Sequence, residues 1–326
     1  MINSGIKKHS FLKWEWMLIL MLILINIMNA SLSPYYLNYF NISSAVMAFL
    51  DKAFMVFPMA FIMMMGDIDI SVASTVALSS VIMGIAVQAG LPMPLAIVLC
   101  LGTATLCGWI NGMIITRFKE LSAAIVTIST MILYRGIAYI ILEDQAASGF
   151  PEWFSFLGWE SIGPIPFIVI VFTVFAVLFW LILHKTIWGR RILAIGQNNT
   201  ASIYSGINVD KIRLMAFTSA GFMAGISSLF LTSKMASTRP NIAVGYELEV
   251  IAIVVLGGVS TSGGRGKIHN VIMAVFVIGL LKYGLGLINI HSQLLSIIIG
   301  ILLILSTLLP NLGEDYLKKK KLRSNT

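Results

Sequence analysis

Long apolar stretches alternate with short polar ones along almost the whole chain. About 20 apolar residues in a helix cross a hydrocarbon layer of about 30 Å. We predict ten approximate spans, at residues 15–33, 43–65, 70–89, 92–116, 121–142, 164–183, 212–233, 247–262, 268–288 and 292–310. The third and eighth are short and polar at one end, which is typical of a broken or re-entrant helix. The pattern predicts an all-α membrane protein with about ten transmembrane helices.

Composition agrees with a membrane protein. Apolar residues make up 58% of the chain and charged residues 11%, whereas about a quarter of a soluble domain is charged. Residues 15–310 are therefore predicted to form a single transmembrane domain, with an N-terminal segment at 1–14 and a basic tail at 311–326.

The distribution of charge predicts the orientation of this domain. If both termini are cytoplasmic, 17 of the 22 Lys and Arg residues fall in cytoplasmic segments. The longest external loop, 143–163, then carries four acids and no cation. Such asymmetry favours an even number of spans with both termini inside. The net charge of +8 is explained by topology, and the scattered cations make nucleic acid an improbable partner.

One polar segment, residues 184–211, is longer than a simple turn between two spans. It carries four cations (Lys185, Arg190, Arg191 and Lys211) against one acid, Asp210, so we expect it on the cytoplasmic side. Its sequence from 191 to 207 predicts a short helix pair broken at Gly196 and Gly206. Nothing in it supplies chemistry, which favours a docking surface for another protein.

Catalytic and cofactor motifs are scarce. The four histidines fall in four separate segments, which disfavours a metal site. The glycine-rich run 257–267 lacks phosphate-loop positions, because Thr261 replaces the first glycine and Ile268 the Ser or Thr that would hold magnesium. We therefore predict no catalytic residue, no cofactor and no metal. The run is expected to form a tight turn between two helices. The alternative is that it lies near a nucleotide-hydrolysing partner or forms part of a gate.

Polar groups within or beside the apolar spans are better functional pointers, since a mid-bilayer charge costs about 2.5–3.5 kcal/mol on insertion scales. Asp67 and Asp69 are predicted to mark a break between the second and third spans. The alternative is that such charges pair with one another and hold the bundle together. The candidate pathway or gate residues are Asp67, Asp69, Asn111, Arg135, Glu247, Glu249, Gly257 and Gly258.

Four stretches resemble the permease subunits of bacterial ABC importers for ribose, xylose, rhamnose and related sugars. Residues 66–72 (GDIDISV) are similar to the family's G-G-I-D-L-S-V, and residues 124–136 to its I-V-T-L-G-T-M…F-R-G. The others are 186–210, similar to its cytoplasmic loop, and 245–266. Residues 90–97, 106–108 and 183–186 resemble the subgroup that imports autoinducer-2 or rhamnose. Asp67 and Ala73 stand where the family has glycine.

This resemblance implies a permease that moves a monosaccharide-type solute across the bacterial plasma membrane. Its implied partners are cytoplasmic ATPase subunits, a second permease copy or paralogue, and an extracytoplasmic solute-binding protein. A cytoplasmic coupling helix would lie between spans six and seven. The implied ATPase-coupling residues are Gly189, Arg190, Arg191, Ala194, Gly196, Gln197, Asn198, Gly206, Ile207 and Asp210.

The main alternative is a secondary transporter driven by an ion gradient, with Asp67 and Asp69 binding protons or sodium. Such proteins often contain inverted repeats and paired broken helices, and the two halves of this chain are not self-similar. A membrane-embedded enzyme is disfavoured by the lack of a clustered nucleophile, base or metal ligand. A purely structural scaffold is the fourth possibility.

Overall fold

The computed structural model describes residues 8–290 together with 294, 297, 298, 300, 301 and 304, with side chains described from residue 14 onward. Within this part, six helices are long and apolar enough to cross a membrane, or seven if one bent pair counts as a single span. The six are α1 (Lys8–Leu32), α5 (Met93–Arg117), α6 (Ala123–Leu142), α8 (Phe167–Lys185), α11 (Val209–Met235) and α13 (Ile268–Leu287).

The bent pair occupies the second predicted span. It consists of α2 (Tyr39–Ala53) and α3 (Val56–Met64), which meet at 43°. Pro58 lies in the first turn of α3. The amide hydrogen that proline lacks would find no partner within the helix at that position. The bend therefore places the proline where a helix tolerates it.

The third and eighth predicted spans are short helices. Here α4 (Val72–Gln88) has 17 residues and α12 (Tyr246–Leu256) has 11. Residues 257–262, which the apolar pattern placed in the eighth span, lie in a loop instead, because the helix ends at Leu256 and Gly258 has φ +78°. The tenth predicted span lies mostly outside the described residues, and the basic tail lies wholly outside them.

The remaining elements lie at the two ends of α8. The segment before α8 contains a 3-10 helix (Glu152–Ser155), a short helix α7 (Phe156–Trp159) and two antiparallel strands, β1 (Ser161–Ile162) and β2 (Ile165–Pro166). After α8 come α9 (Ile187–Gln197) and α10 (Asn199–Tyr204). We call residues 184–211 the α9–α10 segment and their end of the bundle the α9 end.

Two long helices approach each other closely at small residues. Gly221 of α11 packs against the backbone of Ala104 and Gly108 in α5, and a Cβ on Gly108 would overlap the backbone of Phe217. Gly225 continues this contact one turn further along. The G-x-x-x-G spacing of residues 221 and 225 is typical of helices that pack this closely.

Candidate functional site

The α9–α10 segment is held in place by three side-chain caps. Thr186 accepts a hydrogen bond from the Trp188 amide, and Asn198 accepts one from the Ala201 amide. Asn208 caps α11 in the same way. The predicted helix pair is confirmed, but the predicted break at Gly196 is wrong. Gly196 lies inside α9, and the break falls at Asn198, whose extended backbone ends one helix while its side chain begins the next.

One face of this segment is exposed. Arg190, Arg191, Gln197, Asn198 and Gly206 are exposed, Gly189 is buried, and Ala194, Gly196, Ile207 and Asp210 are partly buried. Two exposed residues were missing from the sequence prediction: Tyr204 has 88% of its surface accessible and Ile203 has 53%. Aromatic and Arg side chains are enriched at protein interfaces. The apolar pair at the end of a short polar helix was the signal that could have found them.

The inner face of α9 is packed on backbone. Gly196 contacts the carbonyl oxygen of Met64, at the end of α3, and the amide nitrogen of Gly264. The Gly264 amide donates a 2.7 Å hydrogen bond to the same Met64 carbonyl. The structure thus joins three segments that are distant in sequence: the end of α3, the end of α9 and residues 257–267, which we call the glycine-rich loop.

The break between α3 and α4 continues from this contact. Asp67 forms a 2.8 Å ion pair with Arg213, near the start of α11. Burial raises the pKa of Asp67, and Arg213 opposes that rise. Asp69 is almost fully buried and accepts hydrogen bonds from the Ser71 amide (2.9 Å) and hydroxyl (2.7 Å). Burial raises the pKa of Asp69 to about 6. The predicted break at these two acids is confirmed.

A buried chain of hydrogen bonds runs from this break into the bundle. The Asn111 amide donates to the Ser71 hydroxyl at 2.7 Å, and the Tyr134 hydroxyl lies 3.1 Å from the Asn111 carbonyl oxygen. The Thr127 hydroxyl lies 3.2 Å from the Ile68 carbonyl. Because these partners belong to α5 and α6, the non-helical backbone between α3 and α4 is fixed from two sides.

A second polar cluster surrounds the start of α12. Glu249 lies 2.8 Å from Lys52 and 2.8 Å from Lys282, while Asp51 pairs with Lys234 at 2.7 Å. These pairs join α2, α11, α12 and α13. For Glu249, the alternative that intramembrane charges pair to hold the bundle is therefore confirmed.

The other predicted pathway residues are dispersed. Arg135 donates hydrogen bonds to the carbonyl oxygens of Pro240 (2.5 Å) and Ile242 (2.7 Å). The negative charge of Glu247 attracts its guanidinium group. Gly257 and Gly258 lie in the turn that follows α12, where Gly257 packs on Val271 and Gly258 packs on Trp14. The structure brings Asp67, Asp69 and Asn111 together, and it separates them from Glu247, Glu249 and Arg135.

A cavity of about 360 Å³ opens at the α9 end, beside the break. Asp67, Arg213, Lys119 and Asp210 contribute its charges, the last two as an exposed 3.0 Å ion pair. Residues 122–124, at the start of α6, and Ile203 of α10 complete much of the wall. Across the described residues, no group of three or more His, Cys, Asp or Glu side chains could hold a metal ion.

A comparison with known proteins shows the family to which this chain belongs. The family described as the permease component of the branched-chain amino acid transport system matches residues 41–307. The chain belongs to this permease family. It is a multi-pass membrane protein whose role is transport, and it is not itself an enzyme.

Individual relatives in the permease family have names that refer to two solutes. The ribose import permease protein RbsC of Bacillus subtilis (strain 168) is 34% identical over 296 residues, which cover 90% of each chain. The autoinducer 2 import system permease protein LsrD of Escherichia coli (strain K12) is 31% identical over 300 residues, covering 89% of this chain and 90% of that one. LsrD of Yersinia enterocolitica (serotype O:8 / biotype 1B) is 34% identical over 254 residues, 76% of each chain. No solved structure matches.

The resemblance to sugar-import permeases stated from the motifs is confirmed by these relatives. Every candidate site residue lies inside the region that the permease family matches. The roles of the individual residues stay predictions, because a family match over residues 41–307 does not distinguish the role of one residue from that of another.

Proposed function

We propose that the chain is the transmembrane permease subunit of an ATP-binding-cassette importer for a monosaccharide-type solute such as ribose, autoinducer-2 or rhamnose. Two permease subunits, identical or related, enclose the pathway. Two cytoplasmic ATPase subunits bind the α9–α10 segment, and an extracytoplasmic binding protein delivers the solute. The observation that carries this proposal is the two-sided structure of α9, which exposes Arg190 and Arg191 and packs its inner face on the bundle.

The proposal places both termini and the α9–α10 segment in the cytoplasm. The charge distribution supports this orientation, since the α9–α10 segment carries four cations and one acid, while the loop before α8 carries acids only. Cysteine labelling at an exposed position such as Tyr204 tests it. Reaction with a membrane-impermeant reagent from outside intact cells would refute the orientation.

In this mechanism the permease supplies no catalytic residue. ATP binding draws the two ATPases together, and a change in their contacts with α9 favours one of two permease conformations. A partner can shift such an equilibrium only by binding the two conformations with different affinity. The contacts of α9 with Met64 and the glycine-rich loop are the route from the docking surface to the break at Asp67 and Asp69.

The charge of the docking surface provides a direct test. We expect the double variant Arg190→Glu/Arg191→Glu to lower ATPase binding and solute uptake by about tenfold or more, because like charges facing each other cost several kcal/mol. Membrane insertion should be unchanged, since both side chains are exposed. The measurement is co-purification of the ATPase with the permease, together with uptake in cells that lack the native gene.

A matched control reverses two exposed charges at the other end of the bundle. Glu143→Lys/Asp144→Lys should leave ATPase co-purification at the wild-type level, since these residues precede α8 on the side away from α9. Normal co-purification of the Arg190/Arg191 variant would contradict the proposed docking surface.

One observation favours the ion-driven alternative enough to test it. Asp69 is buried, and its described hydrogen bonds come from Ser71, not from a cation. Asp67, in contrast, is neutralised by Arg213, so the pair of acids is not available as a unit. Uptake that stops when ionophores collapse the ion gradients while ATP is maintained would support this alternative. Uptake that persists and requires the ATPase would exclude it.

A further inference from the structure

We propose that four residues, Met64, Gly196, Gly263 and Gly264, form a backbone clasp that couples movement of α9 to the interior of the permease. This inference rests on the proposed function and adds positioning residues to it. The clasp transmits the ATPase movement by direct contact between backbones. Glycine is required at residue 196 because any side chain would separate α9 from Met64 and from the glycine-rich loop.

The geometry of the clasp leaves no space for a Cβ atom. An added Cβ on Gly196 would overlap the Met64 carbonyl oxygen and the Gly264 amide nitrogen, which are backbone atoms that cannot rotate away. A Cβ on Gly263 would lie 3.0 Å from Gly196 and 3.0 Å from the Gly66 nitrogen. Gly263 (φ +83°) and Gly264 (φ +76°) adopt left-handed conformations that glycine accepts without strain.

Each side of the clasp leads to a different part of the bundle. Met64 is followed directly by the break, where Asp67 binds Arg213 and Ser71 binds Asn111. The glycine-rich loop connects α12 to α13, the two helices that carry Glu249 and Lys282. Side chains can repack when a helix shifts, whereas a hydrogen-bonded contact between backbones moves as one body. A displacement of α9 therefore reaches both polar clusters.

The decisive variant is Gly196→Ala, measured in the assembled transporter with its ATPase and binding protein in proteoliposomes. We expect the amount of solute transported per ATP hydrolysed to fall by about tenfold, within the range found for residues that link coupled sites. ATP hydrolysis and ATPase co-purification should persist, because Gly196 is not among the exposed docking residues. Alanine is also a better helix former than glycine, so α9 itself should be retained.

The matched control is Gly102→Ala in α5, where an added Cβ meets nothing within 4 Å. It should leave transport per ATP unchanged. A normal ratio in Gly196→Ala would overturn the proposal.

If Gly196→Ala does not assemble, hydrogen–deuterium exchange on the wild-type transporter decides. ATP binding should change the exchange of the peptide containing Gly264, whose amide bonds to Met64, together with that of the peptide spanning 192–198. Exchange that changes at 192–198 alone would overturn the clasp. A wild-type complex that neither binds an ATPase nor couples ATP hydrolysis to uptake would instead contradict the proposed function.

Discussion

Replacing Glu249 with glutamine is expected to destabilise the permease by about 3–5 kcal/mol, the range observed when one partner of a buried ion pair is removed. Glu249 has 7% of its side chain accessible and lies 2.8 Å from both Lys52 and Lys282. Without the carboxylate, two ammonium groups remain close together, and water screens their repulsion only in part because the Lys52 side chain is 8% and the Lys282 side chain 29% accessible. Thermal unfolding in detergent, followed by tryptophan fluorescence, measures the effect.

Two further variants test the reason for that loss. Glu152→Gln removes an exposed carboxylate from the segment before α8 and should not change the unfolding temperature. The triple variant Lys52→Met/Glu249→Leu/Lys282→Met removes the charges together. It should recover most of the lost stability, because an apolar cluster of similar volume often replaces a buried ion network without cost. An unfolding temperature of Glu249→Gln equal to the wild-type value would contradict this account.

Replacing Gly221 with valine is expected to have the second large effect, a loss of about 3 kcal/mol or more from overpacking. Gly221 of α11 lies against the backbone of Ala104 and Gly108, so two helices that span much of the bundle would have to move apart. The three nearest atoms that an added Cβ would meet are all backbone atoms, which cannot rotate away to absorb the change. The expected result is low yield of folded protein and early thermal aggregation, measured by fluorescence-detected size-exclusion chromatography.

The comparison variant is Gly102→Val in α5, which places the same side chain on an exposed helix position. It should elute and unfold like the wild type. Equal behaviour of the two valine variants would show that close approach of α5 and α11 does not contribute to stability.

Local features of the fold could be predicted from the sequence because local physics determines them. The length of the apolar stretches identified the long helices, and Asp67 and Asp69 identified the break after α3. Each of these inferences requires only neighbouring residues. The same applies to the helix pair after α8, which polar caps such as Asn198 delimit.

Helix ends were less predictable where hydropathy and backbone geometry disagree. Apolar character continues beyond Leu256, but Gly258 adopts a positive φ and the helix stops. In α9 the reverse occurs, since Gly196 continues the helix and Asn198 ends it. A glycine permits a break without requiring one, so its presence alone does not decide where a helix ends.

By itself, the sequence determined a multi-pass helical membrane protein with a basic segment after α8, because span length and local charge depend only on residues that are consecutive in the chain. Only the tertiary structure decided which cation each acid meets, such as Arg213 for Asp67 and Lys234 for Asp51. It also decided that Gly196 packs on Met64 and Gly264. Several cations could satisfy any one carboxylate equally well, so the pairing depends on how the helices pack over long sequence separations.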